Sequence, residues 1–269
     1  MLETIKETVS FLKERILIQP EVGIILGTGL GGMVKEIQQQ HIIEYEKIPH
    51  FPVSTVEGHH GKLIFGTIND RKVIAMQGRF HYYEGYSPQQ VTFPVRIMKY
   101  LGIRYLFVSN ASGGVNPAYS IGDLMIINDH INLIPNPLIG KHYPEFGARF
   151  PDMSDTYDKD LIRKAVTIAQ KNNIRIQQGC YVATTGPTLE TPKEYEYFRS
   201  IGGDTVGMST VPEIIVAHQM GIICFAISII TDLGIPDKIV KVTIEDVQKV
   251  AGEAEPKMTL IMKELITGL

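Results

Sequence analysis

Cysteine is scarce in this chain. Only Cys180 and Cys224 occur among 269 residues, both inside apolar strand-like runs. That supports neither a disulfide framework nor a cysteine metal site, and buried free thiols are expected. An excess of charge is lacking too. With 26 Lys and Arg against 29 Asp and Glu the formal net charge is −3, so nothing points to nucleic acid or an anionic membrane as a partner. A small anion in a locally positive pocket stays compatible with that total. No apolar stretch is long enough to span a bilayer. The first residues, MLETIKETVSFLKERI, give an amphipathic helical pattern with no apolar signal core and no transit-peptide bias, so cytoplasmic residence is expected. Repeats, low-complexity tracts and internal linkers are absent as well, and residues 1–269 read as one domain.

What is present is organised around Val22–Gly32, VGIILGTGLGG, an apolar run that breaks into a glycine-rich loop ahead of a helical pattern opening at Met33. Converging N–H groups and a helix start make phosphate the natural guest, and Thr28 adds a hydroxyl. The loop also spells G-x-G-x-x-G through Gly27, Gly29 and Gly32, the dinucleotide fingerprint, for which Glu44 or Glu46 is only roughly placed as the ribose acid. A plain strand-to-helix turn is the bland alternative.

Further along, Met33–Gln39 reads as a short helix and His41–Tyr45 as a strand. The turn-rich segment IPHFPVSTVEGHHG carries His50, His59 and His60, of which the last two, between glycines, are the better functional candidates. Lys62–Ile68 and Lys72–Gln77, joined by Asn69-Asp70, read as an antiparallel hairpin. The second strand runs into QGRFHYYEG, where Arg79 offers a guanidinium fork, His81 a donor or acid/base, and Tyr82 and Tyr83 aromatic hydroxyls.

Ser87 and Pro88 open a helix that ends near Gly102, with a kink at Pro94. The strand Tyr105–Ser109 ends in NASGGVNP, read as a turn. In an open α/β sheet ligands bind at the carboxyl ends of strands, so the Gly27, Arg79 and Asn110 loops are expected to converge. Leu124–Asn128 is a further strand, and the long loop up to Tyr157, with Tyr143, Phe146 and Phe150, suggests a lid or an intersubunit arm, or ordinary core anchors. After helix Asp158–Lys171 and strand Ile174–Thr184, Thr191 and Glu194 form a capping box, which puts Leu189 and Glu190 just before a helix. TVGMSTVP, residues 205–212, is a second such junction, with Thr210 and Glu213 as capping pair and Met208 and Ser209 at the strand end. The apolar strand Ile222–Ile230 ends at Thr231-Asp232, and Thr243 opens a long C-terminal helix.

GTGLGG, STVEGHHG, QGRFHYYEGY, VTFPVR, NASGGVNP, GDLMIINDHINL, RFPDMSD, GPTLETPKE and VGMSTVPE, in this order, resemble the trimeric purine nucleoside phosphorylases from roughly Glu21 to Thr231. The resemblance implies a single α/β domain with a mixed central β-sheet flanked by helices. It implies phosphorolysis of purine (deoxy)ribonucleosides to free base and (deoxy)ribose 1-phosphate, in purine salvage, with inorganic phosphate as co-substrate and no metal or organic cofactor. It places phosphate among Thr28, His59, Arg79, His81, Ala111 and Ser209. Tyr83 and Met208 then face the ribose, and His59 also its 5′ side. The sugar and base are held among Asn110, Leu189, Glu190, Val206 and Asp232, with His81, Glu190 and Asp232 as the catalytic set. A homotrimer is implied, in which Phe146 of one subunit closes a neighbour's sugar pocket.

Three departures from the family pattern bear on specificity: Thr28 where serine is common, Leu189 where phenylalanine is common, and Asp232 where the 6-oxopurine enzymes carry asparagine. Glu190 as carboxylate accepts N1–H of a 6-oxopurine, whereas a carboxylate at Asp232 only accepts and so favours the 6-amino group of adenine, unless it is protonated and serves as acid toward N7. A mixed range of inosine, guanosine and adenosine follows. Ile244, where the family often has a histidine at the ribose 5′-hydroxyl, raises the alternative of a 5′-methylthioadenosine phosphorylase. A nicotinamide-dependent oxidoreductase fails to explain Arg79, His81, Glu190 and Ser209 at successive strand ends. A non-catalytic nucleoside sensor has no need of a second anion site.

Overall fold

The computed structural model describes residues 1–27, 30–53 and 61–269. Along them run α1 (Leu2–Lys13), β1 (Val22–Leu26), β2 (Gln38–Glu44), β3 (Lys62–Ile68), β4 (Arg71–Gln77), α2 (Pro88–Val91), α3 (Phe93–Leu101), β5 (Tyr105–Gly114) and β6 (Leu124–Asn132). The second half adds α4 (Lys159–Lys171), β7 (Ile176–Ala183), α5 (Pro192–Ser200), β8 (Thr205–Gly207), α6 (Val211–Gln219), β9 (Ile223–Leu233) and α7 (Ile244–Thr267).

Local chemistry sets most of these boundaries. Ser87 accepts a hydrogen bond from Gln90 N at the start of α2, and Pro94 sits where the chain restarts as α3 after Thr92, so the kink expected there is a break into two helices. Thr191 with Glu194, and Thr243 with Asp246, close reciprocal capping boxes. The helix expected over Met33–Gln39 is only a 3-10 turn, Gly31–Glu36, because residues 38–44 are drawn into antiparallel pairing with β3.

Strands β1, β4, β5 and β9 are parallel to one another where they pair, and the β2-β3-β4 meander extends one edge. Beyond β5 the sheet closes on itself: β5 pairs with β9, β9 with antiparallel β6, β6 with β7, β7 with β8, and β8 returns to β5 at Gly113 and Gly114. This ring has a consequence for the segment read as a turn. Asn110–Gly114 is strand, held on one side by β9 and on the other by β8. β6 likewise continues through Asn132.

The core of apolar strand residues, with Val22, Ile24, Phe107 and Phe225 wholly buried, is covered by α7 against β9 and by α1, α3 and α6 packed in succession. All elements share this one sheet, a single-domain α/β fold with a mixed central sheet. Cys180 and Cys224 are free thiols, each pushed up to about 12 by burial. No helix of the described residues is long and apolar enough to cross a membrane.

Candidate active site

The carboxyl end of β4 carries the first polar group. Phe80 points inward onto Tyr45, Phe51 and Tyr86, so its neighbours Arg79 and His81 are turned the other way. Both are buried, at 1% and 5% exposure. Arg79 Nη1 donates to Ser109 O at 2.9 Å and to Ser209 Oγ at 3.2 Å, while Nε and Nη2 meet one carboxylate oxygen of Glu213 at 3.2 and 3.1 Å. A buried guanidinium is tolerable because Glu213, itself 2% exposed, balances it. Glu213 is therefore an ion-pair partner and not the helix cap expected from its spacing to Thr210: Thr210 makes no side-chain capping bond.

His81 is fixed by Glu84, whose Oε1 accepts from the His81 backbone N at 2.8 Å and meets Nδ1 at 2.9 Å. The ring stacks on Tyr83 at 4.6 Å between centroids. Burial holds the imidazole below its ordinary pKa against the opposing pull of Glu84, and pushes the Tyr83 phenol up to about 12.

β1 and β5 deliver the next groups. Gly27 N donates to Ser109 Oγ at 3.3 Å, and a Cβ on Gly27 would lie 2.8 Å from Ser109 O and 2.9 Å from the Asn110 Cα. Only glycine lets the loop close on β5 here. Because β8 runs antiparallel to β5, the chain leaving it brings Ser209 and Thr210 back beside Asn110. Asn110 Nδ2 donates to Thr210 Oγ1 at 2.8 Å, and the two hydroxyls of Ser209 and Thr210 lie 3.2 Å apart. Thr210 holds φ at +69°, a left-handed setting that costs a β-branched residue about 1–3 kcal/mol. That bend aims Ser209 at Arg79. The Gly27, Arg79 and Asn110 segments thus converge as their strand ends predict. The Gly27 backbone, the Arg79 guanidinium, the His81 imidazole and the Ser209 hydroxyl together suit an oxyanion.

A second cluster lies farther along the same strands. Asp232, near the end of β9, is 9% exposed and pairs in register with Gly113 of β5. Its carboxylate accepts from Thr231 Oγ1 at 3.0 Å and from Tyr195 OH at 3.4 Å. Glu190, half-buried before α5, accepts from Thr184 Oγ1 at 3.5 Å and also hydrogen-bonds Tyr195. Burial raises both carboxyl pKa values, and the charge of Asp232 adds to the rise at Glu190. Two carboxylates with one phenol between them suit a heterocycle whose edge offers both N–H and acceptor positions.

The other expected residues are distributed as follows. Ala111 is half-buried on β5, and Met208 is half-buried one residue before Ser209. Val206 is 2% exposed and packs with Val115, Val182, Tyr195 and Phe198 behind the second cluster. Leu189 is 47% exposed beside Glu190. Two further residues have the following surroundings. Phe146, expected to close a neighbour's sugar pocket, is 3% exposed in its own chain, against Tyr100 and Tyr143, with the Arg96 guanidinium 4.1 Å over its ring. Ile244 is the first residue of α7 and 60% exposed. Thr28, His59 and His60 lie outside the described residues, and His50 bonds Glu7 at 2.7 Å away from the site.

The dinucleotide reading fails on topology, since β2 pairs antiparallel with β3 and is separated from β1 by β3 and β4, and Glu44 is bound to Lys47 at 2.8 Å. The roles of Glu213, Glu84 and Tyr195 escaped the sequence reading. For Glu213 a signal existed: it is the one acidic residue in the otherwise apolar run VPEIIVA, where a carboxylate needs a buried partner. Among the described residues no group of three or more His, Cys, Asp or Glu is placed to hold a metal ion.

Fold and site together define an α/β protein with a buried Arg79–His81–Ser209 cluster and a two-carboxylate cluster, joined by β5. The family model of the phosphorylase superfamily matches residues 21–267, and the chain belongs to that superfamily, among its nucleoside phosphorylases. It is similar to purine nucleoside phosphorylase 1 of Bacillus subtilis, 54% identical over 233 residues with 86% of each chain covered. Mouse purine nucleoside phosphorylase is 42% identical over 275 residues, covering 98% of this chain and 95% of its own. The structure of Schistosoma mansoni purine nucleoside phosphorylase in complex with adenosine superposes with a TM-score of 0.95 at 41% identity, over 100% of this chain and 98% of that one. The schistosome enzyme in complex with hypoxanthine gives 0.95 at 40%.

Proposed function

We infer that this chain is a purine nucleoside phosphorylase, cleaving the N-glycosidic bond with inorganic phosphate to give free base and pentose 1-phosphate. The observation that carries this reading is that β5 connects the two clusters. Asn110 and Ala111 stand at the cradle and Gly113 at Asp232, about 7 Å farther along the strand. That spacing leaves a sugar between an anion and a heterocycle.

In this reading phosphate is held by Arg79, His81, the backbone at Ala111 and Ser209, with Thr28 and His59 completing the site. Tyr83, Met208 and Asn110 face the sugar, and Leu189, Glu190, Val206 and Asp232 the purine. As the C1′–N9 bond breaks, its electrons pass to the purine and the sugar becomes oxocarbenium-like. The dianion stabilises that cation and then bonds to C1′, while the pocket neutralises the departing base. Glu190 accepts N1–H of a 6-oxopurine. Asp232 as carboxylate accepts from a 6-amino group, and protonated it donates to N7, so both base classes fall within range. No metal or organic cofactor enters the scheme. Salvage in the cytoplasm and assembly as a homotrimer belong to the same reading.

The test is release of base from inosine and adenosine with and without phosphate, before and after treatment with a chelator, in wild type and in Asp232→Asn. Phosphate-dependent, chelator-insensitive release is expected, with the inosine/adenosine ratio rising in Asp232→Asn. No release from either nucleoside refutes the reaction, and an unchanged ratio removes Asp232 from base selection. Mass in solution checks the trimer.

A further inference from the structure

Tyr195 lies between the two carboxylates of the base pocket, and its ring has nowhere to go. It is 5% exposed, packed by Val115, Val182, Phe198 and Val206, and the Gly234 backbone lies so close that a Cβ there would overlap the ring. Its hydroxyl oxygen is therefore fixed, hydrogen-bonded to Asp232 and to Glu190. A phenol has one proton to donate, so it serves one of these carboxylates at a time. The groups facing the pair are Thr184, Glu194 and Tyr195 toward Glu190, and Thr231 and Tyr195 toward Asp232. Among the described residues no cation is a cause of the shift at either carboxyl group.

We propose that Glu190 and Asp232 hold a single proton between them, and that Tyr195 is the positioning residue whose O–H follows whichever carboxylate is ionised. The proposal rests on the phosphorylase reading above. With a 6-oxopurine, Glu190 is the carboxylate, accepting from N1–H and from Tyr195, and Asp232 carries the proton toward N7. With a 6-aminopurine the proton sits on Glu190 and is donated to N1. Asp232 then accepts from the amino group and from Tyr195. The proton count of the pocket is the same in both complexes, so one site serves both bases without a net change of charge. Two ionised carboxylates sharing one phenol donor are the arrangement this avoids, and burial drives both toward the neutral form.

The experiment is the pH profile of kcat/KM for inosine and adenosine in wild type and Tyr195→Phe. Without the phenol proton the singly ionised pair loses its donor relative to the doubly protonated pair. The acid limb then moves up by about one pH unit for both substrates. The alkaline limb stays, because both states that it separates lose the same donor. A Tyr195→Phe profile that coincides with the wild type overturns the proposal, whereas a wild type that releases no base overturns the phosphorylase reading itself. A second measurement needs no change at Tyr195: calorimetry of hypoxanthine and adenine binding in buffers of different ionisation enthalpy. Equal proton uptake for the two bases is expected in wild type. In Asp232→Asn adenine takes up one proton more than hypoxanthine does, since Glu190 alone must then be protonated. Unequal uptake in wild type refutes the shared proton.

Discussion

Replacing Glu213 by Gln tests the electrostatics of the cradle with little change of shape. One oxygen of Glu213 accepts from Arg79 Nε and lies in ion-pair contact with Nη2, and the other is buried with no hydrogen-bond partner among the described residues. The amide preserves the accepting oxygen and removes the charge. The Arg79 guanidinium, 1% exposed, then loses the charge of Glu213, and breaking a buried pair in this way costs about 3–5 kcal/mol. For a chain of this size each kcal/mol moves Tm by about 2–4 °C, so a fall of roughly 10 °C is expected in phosphate-free buffer at fixed protein concentration.

Phosphate supplies the second half of the test. In wild type the anion meets an Arg79 that Glu213 already balances. In Glu213→Gln it meets an Arg79 that has lost the Glu213 charge. Phosphate at about 100 times its Kd stabilises any binder by about 2.7 kcal/mol, and at equal phosphate the upward shift of Tm is expected to be larger in the variant. The assay is thermal unfolding followed by circular dichroism, with sulfate-free phosphate titrated into both proteins. A variant melting within 2 °C of wild type, a margin below the roughly 2–4 °C for 1 kcal/mol, refutes the buried ion pair. A normal loss of Tm with no extra recovery in phosphate refutes Arg79 as the anion's partner.

Gly27→Ala drives a Cβ to 2.8 Å from Ser109 O, and a loss of about 1–3 kcal/mol with a phosphate KM raised more than the nucleoside KM is expected from unfolding and steady-state kinetics. Asp232→Asn is expected to stabilise the free protein. The carboxyl pKa is raised by folding, so the native state binds the extra proton, and the penalty grows as pH rises above the ordinary aspartate value of 3.8. The gain in Tm over wild type is then larger at pH 8 than at pH 4. His81 has the opposite sign. Its folded pKa lies below 6.5, so the unfolded chain takes the proton first and stability falls as pH drops below 6.5, a slope that His81→Gln should flatten in melting curves against pH.

Punctuation and capping were legible in the sequence because they depend on neighbours in the chain. Ser87, Thr191 and Thr243 cap the helices expected of them, and the Asn69 turn joins the hairpin as read. Arg79, His81 and Ser209 stood out because polar groups gather at strand ends, whereas Glu190 and Asp232 were singled out by the family resemblance. What escaped depends on partners distant in sequence. Glu213 lies three residues after Thr210, a spacing that imitates a capping box, and only the return of β8 along β5 shows that the acid belongs to Arg79, 134 residues away. The run Asn110–Gly114 looked like a turn for its small residues. They are small because Asp232 and β9 come close: a Cβ on Gly113 would lie 2.9 Å from Asp232 Oδ2.

The extension of β5 also explains how one strand serves two chemistries. Pairing with β9 on one side and β8 on the other leaves its last residues no freedom to respond to a ligand. The anion cradle and the base pocket are therefore held at a fixed separation, as a reaction passing charge from one to the other requires. Adaptation to different bases must then come from protons and not from backbone. The base cluster fits this: Asp232 is buried, Glu190 is half-buried, and their phenol partner is clamped by Gly234, so the hydrogen atoms are what is freest to move.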